Sequence, residues 1–211
     1  MVDTQVRPSD VTKFPIIEAM LHVPREQYLP VALRDVAYIG ENINLGGGRV
    51  ALEPRTLAKM LDALDIQPGD AVLDLGCGLG YSTAVLARLA GSVVGVESDA
   101  SYAEQARHNL ADNGVDNATV IAGELAAGAP TSAPFDVIIL QGAVVQVPVD
   151  ILTQLKDGGR IGAIFAEGAL GVVRIGHKTA SATGGHVDWR FNFNAGAPVL
   201  AGFEATTGFV L

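Results

Sequence analysis

The feature that most constrains this chain is Val72–Tyr81, which reads VLDLGCGLGY. A short apolar run enters three glycines spaced one residue apart and leaves into a pattern of helical type. Such a turn between a strand and a helix lets the backbone approach a ligand closely and aims N–H groups and a helix N-terminus at it. Only glycine takes the turn's tight, partly left-handed conformations without a Cβ penalty. The same segments predict what surrounds the turn. Ala71–Leu75, Ser92–Glu97, Ala118–Ala122, Phe135–Leu140 and Ile161–Phe165 are short apolar strands. Helical patterns lie between them at Ser82–Leu89, about Ser101–Asn113 and about Val149–Leu155. Alternation of this kind predicts a parallel sheet with helices on both faces.

Upstream, Val11, Phe14, Ile17, Met20 and Leu21 recur at helical spacing, and Val23–Pro30 (VPREQYLP) interrupts the helix with two prolines. Arg55–Leu64 is a second amphipathic helix, with Pro54 suited to its first turn. Downstream, Lys156–Arg160 (KDGGR) reads as a turn. Val172–Gly176, His186–Phe193 and Phe203–Leu211 read as antiparallel strands closing the sheet edge. Trp189, Phe191 and Phe193 alternate within that pattern as core or sheet-face residues. The expected organisation is a helical arm with an active-site loop over residues 1–65, packed on an α/β core over residues 66–211.

Composition excludes several classes. Fourteen Lys and Arg against 23 Asp and Glu give a net charge of −9, which argues against a nucleic-acid surface. The single cysteine, Cys77, excludes an internal disulfide and fits a reducing compartment. The four histidines show no ligand spacing, so no metal site is expected. No signal peptide precedes the arm, and no apolar run approaches the roughly 20 residues of a bilayer span, so a cytoplasmic location away from membranes is expected.

Two carboxylates qualify the glycine turn. Glu97 ends the next strand, about twenty residues on, where an acidic side chain accepts hydrogen bonds from ribose hydroxyls. Asp74 lies on the strand before the turn, where it would repel a pyrophosphate but suit a cationic amine or sulfonium. That charge logic favours S-adenosylmethionine over a nicotinamide dinucleotide.

With those residues in place, the chain resembles the class I S-adenosylmethionine-dependent methyltransferases. It is similar in particular to the protein-L-isoaspartate O-methyltransferase family. The resemblance runs through VPREQYLP, Glu53-Pro54, Pro68–Ala87, Ala133–Ile139, Val147-Pro148 and Gln154–Arg160. It implies a doubly wound, seven-stranded, mostly parallel sheet with a helical N-terminal arm. It also implies methyl transfer to a carboxylate of an isoaspartyl protein or peptide, as in protein repair. The implied cofactor pocket takes in Asp74, Gly76, Cys77, Gly78, Leu79 and Gly80. Glu97 and Ser98 stand at the ribose, Gly123 and Glu124 beside the adenine, and Gln141 and Gly142 near the methyl donor.

One segment departs from the family. Gly46–Pro54 reads GGGRVALEP where the family resembles GQTISQP ahead of the helix. With the proline as anchor, threonine has become Val50 and serine Leu52, so both hydroxyls near the acceptor are lost. Val50 and Leu52 are expected to close over the sulfonium side with apolar contacts. Arg49 and Glu53 are the ionisable candidates for catalytic roles. Arg49 could grip a carboxylate bidentately or pair within the loop, with Glu53 as partner. Glu53 also suits a helix start. Two alternatives keep the fold: a methyltransferase with another, small-molecule acceptor, and a catalytically silent binder of S-adenosylmethionine or S-adenosylhomocysteine. A dehydrogenase is a further reading, disfavoured by Asp74. Cys77, with no histidine nearby in sequence, reads as a packing residue.

Overall fold

The computed structural model describes residues 1–168, 170–180 and 185–205. Its centre is a seven-stranded sheet built from β3 (Ala71–Leu75), β4 (Ser92–Glu97), β5 (Ala118–Ala122), β6 (Phe135–Val144), β7 (Leu155–Glu167), β8 (Leu170–Thr179) and β9 (His186–Asn194), ordered β5-β4-β3-β6-β7-β8-β9. Strands β5 through β7 run parallel, whereas β8 and β9 are added antiparallel. The chain winds outward from β3 to β5 and then returns to β6 on the other side of β3. The carboxyl ends of β3 and β6 therefore flank the point where winding reverses, the crevice in which open α/β sheets bind ligands.

The central strands are apolar on both faces because both are covered. Val72, Leu73, Leu75, Val137, Ile138, Ile139 and Leu140 are fully buried. α2 (Pro54–Leu64), α3 (Tyr81–Ala87) and α4 (Ala100–Asp112) pack on the face of Val72, Val137 and Ile139, whereas Leu125, Ile151, Leu200 and Phe203 cover the face of Leu73, Leu75, Ile138 and Leu140. Pro54 opens α2 as expected, and Asp99 caps α4 by accepting from the Ser101 and Tyr102 amides. α2 ends on Asp65 in the left-handed conformation, φ 48°, and Lys13 Nζ bonds the Asp62 carbonyl at 2.8 Å and the Asp65 carboxylate at 2.7 Å. This contact draws the arm onto the core. α1 (Phe14–His22) places Ile17 and Met20 in one apolar cluster with Leu57, Met60 and Leu61 of α2.

Several expectations need correction. Gly46–Pro54 is not a simple loop: β1 (Ile43–Gly46) and β2 (Arg49–Ala51) pair as a hairpin, with Gly46, Gly47 and Gly48 all at positive φ around its turn. Strands of four and three residues are too short for the Ile43–Leu45 alternation to register as a strand pattern. The helix after β6, α5, covers only Val149–Thr153. Lys156–Arg160 is a bulge inside β7 rather than a turn before it, since pairing jumps from Phe135 opposite Leu155 to Val137 opposite Arg160. A further bulge pairs Val173 with Phe193 but Arg174 with Phe191. It sends Phe193 into the α2-side core, leaves Phe191 exposed, and stacks Trp189 edge-on against Phe165 at 4.9 Å. Of the strand expected over residues 203–211, residues 203–205 are irregular and 206–211 lie outside the described residues. Among the described residues, no helix is long and apolar enough to cross a membrane.

Leu61 joins arm, α2 and sheet in one cluster and is buried. Leu61→Ala is expected to destabilise the fold by about 2–5 kcal/mol. Urea unfolding checks this, and an unchanged midpoint would show that the arm does not pack as described.

Candidate functional site

The glycine turn leaves β3 with Gly76, Gly78 and Gly80 at φ 79°, 55° and 94°. Each glycine has a distinct neighbour. A Cβ on Gly78 would meet Leu45 of the hairpin at 3.2 Å, one on Gly80 would meet Ala106 of α4 at 3.3 Å, and one on Gly76 would meet Leu200 at 3.2 Å. The turn is thus enclosed by the hairpin above, α4 at its side and the C-terminal segment below. Leu79 and Cys77 are buried in it, and burial pushes the Cys77 thiol well up, which leaves it an unreactive packing group.

Behind the turn, Asp74 is fully buried. Its Oδ2 accepts from Ser82 Oγ and Thr83 Oγ1, both at 2.7 Å, and its Oδ1 accepts from Gln141 Nε2 at 2.7 Å. Burial raises its pKa, while the three donors favour the charged form. Gln141 therefore reaches β3 from β6 and joins the two strands at the switch point. Gly142, next along β6, is pressed by Leu200, whose Cδ2 lies 2.5 Å from where a Cβ would be. Leu200 is held there because its amide donates to the Ala143 carbonyl at 2.8 Å.

Glu97, at the end of β4, is also fully buried. The Gly78 amide donates to Oε2 at 2.9 Å and the Asp99 amide to Oε1 at 3.0 Å. Arg49 Nε donates to both oxygens, at 3.0 and 3.1 Å, and Arg49 Nη2 donates to Ser98 Oγ at 2.6 Å. Arg49 is thus a buried arginine paired with Glu97 and Ser98. Glu53 instead accepts from Thr56 Oγ1 at 2.7 Å inside the first turn of α2 and lies 3.6 Å from Arg55. Gly123 and Glu124 follow β5 and are exposed; the Gly123 amide donates to the Glu97 carbonyl at 3.0 Å, which places them beside the same strand end.

Val50 and Leu52 line a narrow cavity with Leu45, the Gly76–Leu79 turn and Gln141. The volume open to the centre of a water molecule is about 20 Å³, room for about one water. The hairpin is closed on the turn, and the Tyr102 hydroxyl secures it by donating to the Leu45 carbonyl. Sequence reasoning brought together Arg49, Val50, Leu52, Asp74, the glycines, Glu97, Ser98 and Gln141. It missed Leu45, Tyr102 and Leu200, whose roles depend on contacts 33 or more residues away and carry no local motif. Among the described residues no group of three His, Cys, Asp or Glu could hold a metal ion.

The donor set suits an adenosyl ligand with a cationic centre. It offers backbone amides at a glycine turn, a carboxylate at the end of the second strand, and a second carboxylate behind the turn. Comparison with known proteins agrees with this arrangement. Residues 3–170 match the family model "Protein-L-isoaspartate(D-aspartate) O-methyltransferase (PCMT)". A protein-L-isoaspartate O-methyltransferase of Methanoculleus marisnigri is 37% identical over 161 residues, covering 76% of this chain and 73% of its own. Two solved structures share the fold. A protein-L-isoaspartate O-methyltransferase superposes with a TM-score of 0.80 at 24% identity, over 93% of this chain and 63% of that one. A β-aspartate methyltransferase (PCMT) of Plasmodium falciparum in complex with S-adenosyl-L-homocysteine superposes with a TM-score of 0.77 at 18% identity, over 92% and 94%. On the sequence match over most of its length, this chain belongs to the protein-L-isoaspartate O-methyltransferase family.

Proposed function

We propose that this chain transfers a methyl group from S-adenosylmethionine to the carboxylate of an isoaspartyl residue in a protein or peptide, in the cytoplasm. The observation that carries this reading is the pair of buried carboxylates, Asp74 and Glu97, on either side of the glycine turn, in a chain of this family. Glu97 and Ser98 would take the ribose, Gly123 and Glu124 would border the adenine, and Asp74 would act on the cationic end of the ligand through its field. Bound there, the sulfonium supplies an electrophilic methyl group. A carboxylate oxygen of the acceptor forms the new bond to that methyl as the sulfur–carbon bond breaks. The electron pair stays on sulfur and its positive charge is neutralised. An ionised acceptor has no proton to lose, so the chain need supply no general base. Its work is to hold the two partners in line and exclude water, effects that together supply on the order of 7–11 kcal/mol in favourable cases. Val50 and Leu52 do the excluding where the family has hydroxyls. Labelled methyl should appear on a synthetic isoaspartyl peptide and not on its aspartyl counterpart. Labelling of neither, with S-adenosylhomocysteine binding intact, would favour a silent binder or another acceptor.

Arg49 stands in the way of the ligand in the closed site. Its guanidinium occupies the Glu97 oxygens that ribose hydroxyls would use, and Leu45 rests on the Gly78 turn. Ligand entry then requires the hairpin to lift and Arg49 to leave Glu97. Arg49, once released, faces the acceptor side as a candidate carboxylate grip. Arg49→Gln leaves a buried carboxylate without its cation, which is expected to destabilise the free protein by about 3–5 kcal/mol. The same change should tighten S-adenosylhomocysteine binding at least severalfold, because no ion pair has to be broken. Calorimetry measures both quantities, and weaker binding by the variant would mean that Arg49 assists the ligand instead of competing with it.

A further inference from the structure

Arg25, in the VPREQYLP segment, is fully buried, and among the described residues it has no carboxylate partner. Its Nε donates to the Ala37 carbonyl at 2.8 Å, and its Nη2 donates to the Leu52 carbonyl at 2.9 Å and, more weakly, to Ala51 at 3.4 Å. The guanidinium carbon lies 4.7 Å from the centre of the Tyr81 ring, on the residue that opens α3 directly after the glycine turn. Among the described residues, three buried atoms here have no hydrogen-bond partner of proper geometry: Arg25 Nη1, Tyr28 Oη and Tyr81 Oη. Burial raises the Tyr81 pKa, and the neighbouring Arg25 guanidinium, in skewed contact with the hydroxyl, opposes that rise. All three residues line the cavity bounded by Val50, Leu52 and the glycine turn.

The chemistry of this cluster is one-sided. A guanidinium only donates, and the two phenols are free to do the same, so what is missing is an acceptor. The buried positive charge asks that the acceptor be an anion, since an unpaired buried cation is strongly disfavoured. Leu45, Val50, Leu52 and Leu57 form the apolar part of the remaining wall, Ser82 and Gln141 the polar part, and the space is narrow. A planar carboxylate suits this better than a phosphate, with its greater bulk and charge, and the edge of a guanidinium matches carboxylate geometry.

We propose that Arg25, with the Tyr81 and Tyr28 hydroxyls, forms a carboxylate-binding pocket beside the glycine turn. Identification of the bound carboxylate rests on the function proposed above. It is either the acceptor's isoaspartyl carboxylate or the amino-acid carboxylate of the methyl donor. Because Arg25 Nη2 also holds the Ala51 and Leu52 carbonyls, the pocket is coupled to the hairpin, and a carboxylate, larger than the single water the closed cavity admits, enters as the hairpin lifts.

The informative variant is Tyr81→Phe. It removes a hydroxyl that has no partner in the fold, so the protein should remain at least as stable, whereas Arg25→Lys, which keeps the charge but not the fork, tests the guanidinium directly. Thermal unfolding of the full chain in sodium formate against sodium chloride at equal ionic strength reads the pocket alone. Formate should raise the wild-type Tm above the chloride value, and both variants should lose that difference. The KM for an isoaspartyl peptide and the Kd for S-adenosylhomocysteine then separate the two sources. A rise of about tenfold in KM with kcat and Kd unchanged, the size expected for one hydrogen bond to a charged group, assigns the acceptor. An equal rise in Kd assigns the donor. If the wild type neither turns over nor binds S-adenosylhomocysteine, the functional reading fails while the formate comparison still decides the pocket. No formate effect in the wild type, with KM and Kd unmoved by Tyr81→Phe, overturns the proposal.

Discussion

The arrangement at the turn depends on how the buried Glu97 carboxylate is satisfied. Its two oxygens receive the Gly78 amide, the Asp99 amide and the Arg49 guanidinium, groups drawn from the glycine turn, the start of α4 and the hairpin. A carboxylate with no solvent exposure is tolerated only when its charge and lone pairs are met inside the protein. Meeting them fixes three segments, 48 and 19 residues away along the chain, to a single strand end. The closed state of the hairpin is therefore an electrostatic matter as well as one of packing. Whatever competes for Glu97 also acts on the hairpin.

Asp74 and Arg25 extend the same logic in opposite senses. Asp74 is surrounded by neutral donors from α3 and β6, so it keeps its place without a cation, and its charge remains available to act through space on a ligand. Arg25 is bound by neutral carbonyls of the arm and hairpin and likewise lacks a counter-ion among the described residues. A negative charge behind the glycine turn and a positive charge beside it describe a site for a ligand pair carrying both signs. A sulfonium donor and a carboxylate acceptor are such a pair.

Much of this was legible in the sequence. The five parallel strands are short apolar runs because both their faces are covered, and such runs announce themselves locally. The glycine turn, the carboxylates at its flanks and the start of α2 at Pro54 were readable for the same reason: each is fixed by neighbours within a few residues. The hairpin was not, since β1 and β2 are only four and three residues long, too short for an alternating pattern to be read. Nor were the fates of the β9 aromatics, because a single bulge in pairing sends Phe193 and Phe191 to different environments.

The sequence by itself determined the fold class, the family and the set of residues gathered around the turn. Tertiary structure decided which of them touch. Arg49 was legible as an arginine able to bind a carboxylate, but that the carboxylate is Glu97 rather than Glu53 depends on the hairpin folding back across the sheet end. Arg25 was legible only as part of a segment, and its lack of a counter-ion emerges when arm, hairpin and α3 close around it. Leu200 carried no signal at all until the chain returned beneath Gly76 and Gly142. The physical reason is common to all three. Local pattern encodes backbone conformation and the face to be buried, whereas the partner of a buried charge is set by long-range packing that brings distant segments together.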